Sequence, residues 1–136
     1  MDINSKCQVF TPYDYVINLL DSVNYQNNLY GKKILENSCG DGNILVKIVE
    51  RYITDCKKHG MQPDMIRNGL QKDICGVEID RIQYSKCVEK LNAVAAKENI
   101  KDVKWNLIND DYLTVDFKEK FDFVVGNPPY ITYQEL

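Results

Sequence analysis

The 136 residues are 44% hydrophobic and 27% charged, with a net charge of -3. That balance suits one globular domain with a core and excludes a disordered or fibrous chain. No apolar run approaches the roughly 18 residues that cross a bilayer, and Met1-Asp2-Ile3-Asn4 lacks the basic-then-apolar layout of a signal peptide, so a cytoplasmic location and no membrane partner are expected.

Thr11-Pro12-Tyr13-Asp14 reads as a helix start, with Thr11 as N-cap, Pro12 at the first helical position and Asp14 in the first turn. Val16, Leu19, Leu20 and Val23 then recur at helical spacing, which predicts a helix over about 12–23. Lys33-Ile34-Leu35-Glu36-Asn37 reads as a short strand that ends in the small and polar run Ser38-Cys39-Gly40-Asp41-Gly42. From Ile44 through Val49 and Ile53 the period is helical again, ending near His59-Gly60. Gln62 to Lys72, with Pro63, Gly69 and mixed polarity, shows no clear period and is expected to be a surface excursion with at most a short helical turn.

Asp73 to Asp80 gives a second apolar run closing on acids, and Arg81 to Asn99 reads as a helix carrying Ile82, Cys87, Leu91, Val94 and Ala95. A third strand is expected at Val103 to Ile108, ending in Asn109-Asp110-Asp111. A fourth is expected at Phe121 to Val125, running into Gly126-Asn127-Pro128-Pro129-Tyr130. Strands alternating with helices, with glycine and polar residues at the strand C-terminal ends, predict an α/β chain with a doubly wound parallel sheet. Such sheets bind ligands outside those carboxyl ends.

Four groups at the predicted strand ends carry chemistry. The glycines of the Glu36 to Gly42 loop let backbone approach a ligand, but the loop lacks the spacing of a P-loop and its Lys-Ser/Thr pair. Glu78 ends the second strand, where an acid can accept both hydroxyls of a ribose, while Asp80 is placed to cap the following helix. Asp111 with Tyr112, or Asp110 in its place, could accept from an exocyclic amine and pack on a purine face. Asn127-Pro128-Pro129-Tyr130 is the sharpest group. Two prolines stiffen the loop and bring no amide donors, leaving its carbonyls facing outward as acceptors, so an amine substrate could donate to the Asn127 side-chain oxygen and the Pro128 carbonyl while Tyr130 stacks on its ring. Cys7, Cys39, Cys56, Cys75 and Cys87 form no CxxC pair and His59 is the single histidine, so reduced, mostly buried thiols and no metal are expected.

Taken in order, these residues resemble the gamma-type N6-adenine DNA methyltransferases of restriction-modification systems. Val9-Phe10-Thr11-Pro12 is similar to their first-helix motif, Leu35 to Gly42 to their cofactor loop and Glu78 to their ribose acid. Asp111-Tyr112-Leu113 and Asn127-Pro128-Pro129-Tyr130 resemble the adenine-binding acid and the catalytic loop, while Asn37 stands where such loops often have proline. The resemblance implies a Rossmann-like fold that binds S-adenosyl-L-methionine. Phe10, Thr11 and Pro12 would border its methionine end and Glu36 its amino group, within a loop that includes Ser38, Cys39 and Gly40. Glu78 with Ile79 would meet the ribose and one adenine face, and Asp111 with Tyr112 the adenine. Asn127, Pro128, Pro129 and Tyr130 would hold a flipped target adenine, and Asn127 would also touch the cofactor.

The organisation expected is one catalytic domain with a helical segment over 1–30 and a cofactor and catalytic core over 31–136, lacking the family's target-recognition domain. The implied partners are double-stranded DNA, bound through that further part, and a restriction nuclease, fused or separate, in a bacterial or archaeal cytoplasm. The same Asn-Pro-Pro-Tyr loop occurs in methyltransferases acting on protein glutamine or on RNA amines, and the loop alone does not separate them. Phe10-Thr11-Pro12 directly before the cofactor loop favours DNA. A third alternative is a cofactor-binding module that is inactive by itself.

Overall fold

The computed structural model describes residues 13–126. Phe10, Thr11 and Pro12 at one end and Asn127, Pro128, Pro129 and Tyr130 at the other lie outside the described residues.

Helix α1 (Tyr13–Ser22) buries Val16 and Leu20. It stops where Asn24 takes a left-handed φ of 62° and the Tyr25 N–H turns back to the Leu20 carbonyl. Strand β1 (Ile34–Glu36) is buried throughout, and Gly42, at φ 102°, leads into α2 (Asn43–Lys58). Strand β2 (Ile74–Val77), helix α4 (Arg81–Lys97), strand β3 (Asn106–Ile108) and strand β4 (Phe123–Val125) follow in the expected alternation.

Gln62 to Lys72 corrects the sequence reading, because Pro63–Asp73 is an 11-residue helix, α3, with proline in its first turn. Its buried positions, Ile66, Gly69, Leu70 and Asp73, do keep helical spacing. Two of the four are not apolar side chains, and that hid the period. Gly69 is there because any Cβ would overlap the Tyr52 hydroxyl and come within 2.8 Å of the Tyr30 ring. Asp73 accepts from the Tyr52 hydroxyl at 2.5 Å and from the Gly31 N–H at 2.7 Å, so its burial leaves that carboxylate hydrogen-bonded. Gly69→Ala is expected to destabilise the chain by about 2 kcal/mol, the cost of overpacking a filled site, and urea denaturation measures it. A loss within the usual scatter of surface changes would place that helix less tightly than described.

The third and fourth strands are shorter than predicted. Residues 101–105 are tied to α3 instead of β2, through Arg67 Nε to the Lys101 carbonyl (2.7 Å) and the Lys104 N–H to Gln71 Oε1 (2.9 Å). Phe121 leaves the ladder to pack edge-on against Phe117.

The four strands are parallel in the order β3-β2-β1-β4. The chain runs outward from β1 through β2 to β3 and then crosses back to β4 on the other side of β1, so the switch point lies between β1 and β4, where Glu36 is level with Val125. One sheet face joins the main core through Ile34, Ile74, Leu107 and Val125, together with residues of α1, α2 and α4. Leu35, Cys75 and Val77 point to the other face, covered by Tyr112, Val115, Phe117 and Phe121. Gly76 lets α2 close on the sheet, since a Cβ there would lie 2.8 Å from both Leu45 and Leu107. Among the described residues, no helix is long and apolar enough to cross a membrane.

Candidate functional site

Glu36 is the last residue of β1 and is 1% exposed. Its Oε2 accepts from the Ser38 N–H at 2.9 Å, whereas Oε1 is buried with no hydrogen-bond partner. Burial pushes the carboxyl up to about 8; the Ser38 N–H opposes the rise and the nearby Glu78 adds to it. A buried acceptor without a donor is costly, and native structures retain few of them. This one lies at the switch point, where a ligand with a cationic donor would satisfy it.

The loop after β1 is held from below and from the side. The Cys39 N–H donates to the Val77 carbonyl (2.9 Å) and the Gly42 N–H to the Cys39 carbonyl (2.8 Å), while Gly40 has a left-handed φ of 54°. The Cys39 thiol is buried towards α4, where Cys87 and burial both push its pKa up. Its side chain serves the core beneath the loop and is a poor nucleophile. Cys56, Cys75 and Cys87 are likewise free and buried. Among the described residues no group of three His, Cys, Asp or Glu could hold a metal.

Glu78 spans two loops. Its Oε1 accepts from the Gly40 N–H (2.7 Å) and its Oε2 from the Asp80 N–H (2.9 Å). Asp80 caps α4 by accepting from the N–H groups of Ile82 (2.9 Å) and Gln83 (3.0 Å), which leaves Glu78 free of that task. Each carboxylate oxygen of Glu78 has a further lone pair for a ligand hydroxyl. After β3, Asp111 accepts from the Leu113 N–H (3.0 Å) and opens a single turn, Tyr112–Thr114, that sets the Tyr112 ring 5.9 Å from Phe117.

Ser38, Glu78, Ile79, Asp111 and Tyr112 together line a cavity of about 160 Å³ across the C-terminal ends of β1, β2 and β3. Asn37 and Asp110 line it too, the first unremarked in the sequence except as a departure from proline, the second weighed there only as a rival to Asp111. Glu36, Cys39 and Gly40 are not on its wall. Glu36 instead ends β1 between β2 and β4, level with Gly76 on one side and Val125 on the other. There the Asn37 N–H donates to the Val125 carbonyl (3.2 Å), and a Cβ on Gly126 would overlap the Asn37 amide. The chain that leads into Asn127 therefore leaves β4 against the loop that follows Glu36. A larger cleft of about 460 Å³ lies between α1 and α2, remote from the strand ends. Arg51 there is paired with Asp21 (2.8 Å) and the Tyr25 carbonyl (3.0 Å), and the lining carries both charges.

An RNA methyltransferase from Salinibacter ruber, solved with S-adenosyl-L-homocysteine, matches 93% of this chain and 65% of its own at a TM-score of 0.54 and 18% identity. A nuclease-deletion mutant of the Type ISP restriction-modification enzyme LlaGI, solved with a DNA substrate mimic, matches 84% of this chain and 10% of its own at a TM-score of 0.58 and 18% identity. These likenesses establish an α/β Rossmann-like fold.

Residues 25–136 match the model of the Eco57I restriction-modification methylase family, and the chain belongs to that family. It is 33% identical to the Type II methyltransferase M.BstVI of Geobacillus stearothermophilus over 94% of this chain and 25% of the relative. For the modification methylase CviBIII of Paramecium bursaria Chlorella virus NC1A the figures are 32%, 90% and 25%. The Type II methyltransferase M.PaeR7I of Pseudomonas aeruginosa is 27% identical over 95% of this chain. The chain spans about a quarter of the length of these curated relatives.

Proposed function

We propose that this chain carries the S-adenosyl-L-methionine site and the catalytic loop of a site-specific adenine-N6 DNA methyltransferase. The observation that carries the reading is the buried, unpartnered Glu36 Oε1 at the switch point, beside the stretch that leads into Asn127. A ligand with an ammonium at one end and a nucleoside at the other fits the two halves of the site. Glu36 pairs with the ammonium, Glu78 accepts the ribose hydroxyls, and Ile79, Asp111 and Tyr112 surround the adenine. When bound, that cofactor would supply a sulfonium-activated methyl group whose carbon–sulfur bond breaks as the nitrogen–carbon bond forms, leaving a neutral thioether, with the amine's surplus proton passing to solvent.

The remaining chemistry belongs to the loop after β4. An exocyclic amine that attacks a methyl group builds positive charge on nitrogen and makes its two hydrogens stronger donors. The Asn127 side-chain oxygen and the Pro128 carbonyl accept those hydrogens, and Pro128 and Pro129 keep the acceptors from relaxing as charge develops. Tyr130 stacks on the flat ring, which must leave the duplex before its amine can be reached. Phe10, Thr11 and Pro12 close the methionine end. The amine is itself the nucleophile, and neither a covalent enzyme intermediate nor a metal is needed.

Membership of a restriction-modification methylase family supports DNA as the substrate, and a restriction nuclease, fused or separate, is the partner proposed. Transfer of labelled methyl from S-adenosyl-L-methionine to unmethylated duplex DNA, using this chain and the longest chain its gene encodes, tests the reading. The expected product after nucleoside digestion is labelled N6-methyl-2′-deoxyadenosine from the longer chain. No label in DNA, with label in protein or RNA, would overturn the DNA assignment.

A further inference from the structure

Asn109 is the first residue after β3, and its side chain crosses to the loop that follows β2. Its Nδ2 donates to the Glu78 carbonyl at 2.8 Å and to the Ile79 carbonyl at 3.2 Å. Those carbonyls belong to the two residues whose side chains line the cavity from the β2 side. Asn109 is itself followed directly by Asp110, Asp111 and Tyr112, which line it from the β3 side.

The ladder between β2 and β3 pairs residues only as far as Val77 with Ile108, and its last rung is the Glu78 N–H to the Ile108 carbonyl at 2.9 Å. Beyond that rung the two chains separate, and carbonyls past a strand end must find donors elsewhere. The Asn109 amide supplies two donors to consecutive carbonyls and so continues the join for one more step. The Glu78 carboxylate is also tethered at Gly40 and Asp80, but both tethers depend on where the 78–79 backbone sits.

We propose that Asn109 is a positioning residue for the nucleoside half of the ligand. By clamping the Glu78 and Ile79 carbonyls it holds the Glu78 carboxylate where ribose hydroxyls reach it, and it sets the gap between Ile79 and Tyr112 that takes the flat base. The inference rests on the reading of the cavity as the nucleoside site of S-adenosyl-L-methionine. A ligand group displaced by about 1 Å loses most of a directional hydrogen bond, so loss of the clamp should appear as lost ribose recognition rather than as a general weakening.

The test is the dissociation constant of the full chain for S-adenosyl-L-homocysteine and for its 2′-deoxyribose analogue. A hydrogen bond to a charged carboxylate predicts that the wild type prefers the ribose form about tenfold or more. Asn109→Ala is expected to lower that ratio to about threefold or less. Asn109→Asp keeps the shape, removes both N–H donors and must show the same fall, and it gives the answer if Asn109→Ala does not fold. Asn92→Ala, which deletes the acceptor of Trp105 Nε1 (2.7 Å), is the control for general loss of stability and is expected to keep the wild-type ratio. A ratio unchanged in the Asn109 variants, or lost equally in Asn92→Ala, overturns the positioning role. Failure of the wild type to bind either ligand overturns the functional reading and this inference together.

Discussion

Replacing Glu36 with glutamine is expected to weaken S-adenosyl-L-methionine binding about a hundredfold at pH 8, the size of a buried charge-assisted hydrogen bond lost with its charge. Glutamine keeps the shape and the contact with the Ser38 N–H but cannot neutralise an ammonium. The pH dependence follows from the carboxyl that burial holds near 8. At pH 6 nearly all of the unliganded protein has Glu36 protonated, and ammonium binding must expel that proton. Affinity of the wild type should therefore fall about twentyfold from pH 8 to pH 6, given a free α-amino group near 7.8. Above pH 8 it should fall again as the ligand loses its own proton.

The sign for stability is the reverse of that for binding. The Glu36 pKa is raised in the folded state, so the stability that its protonated form gives is complete below the unfolded value of 4.5. It is lost as pH rises through about 8, because the unfolded chain then ionises more readily than the folded one. Glu36→Gln should consequently be the more stable protein at pH 8 in the absence of ligand, by about 1–3 kcal/mol. A structural acid would behave oppositely, losing stability on substitution at every pH. Equal affinity of wild type and variant at pH 8 would remove Glu36 from the ligand site.

Asn127→Ala is expected to lower the methyl-transfer rate about a thousandfold, in line with the loss of one preorganised group that faces developing charge. Cofactor affinity should stay within about threefold of the wild type, because Glu36, Glu78 and the cavity wall are untouched. The two quantities separate the roles. A parallel loss of cofactor binding would make Asn127 a support for the loop beside Asn37 rather than an acceptor for the amine.

The alternation of strands and helices was legible because parallel strands are buried on both faces and read as apolar runs that end in glycine or acids. Helix α3 was not, since Gly69 and Asp73 stand where its face would otherwise show apolar residues. Each is explained by partners outside the helix, Tyr52 with Tyr30 for Gly69 and Tyr52 with the Gly31 N–H for Asp73. Strand lengths failed for a similar reason. Val103 is buried as a strand residue would be, but the backbone around it bonds to the α3 side chains Arg67 and Gln71.

In the site, Ser38, Glu78, Ile79, Asp111 and Tyr112 were legible from position and resemblance, and the cavity gathers them. Two features were beyond sequence reasoning. The open lone pair of Glu36 depends on Ser38 taking one oxygen and nothing taking the other. The clamp by Asn109 acts on backbone carbonyls 30 and 31 residues earlier in the chain, and no residue type records them.

Calorimetric titration of the wild-type chain with S-adenosyl-L-methionine at pH 7, in two buffers of different ionisation enthalpy, counts the protons that move on binding. With Glu36 near 8 and the ligand amine near 7.8, about 0.8 proton should be released per ligand bound, and Glu36→Gln should release none. Binding with no proton release by the wild type, or no binding at all, would contradict the assignment of Glu36 as the group that receives the cofactor.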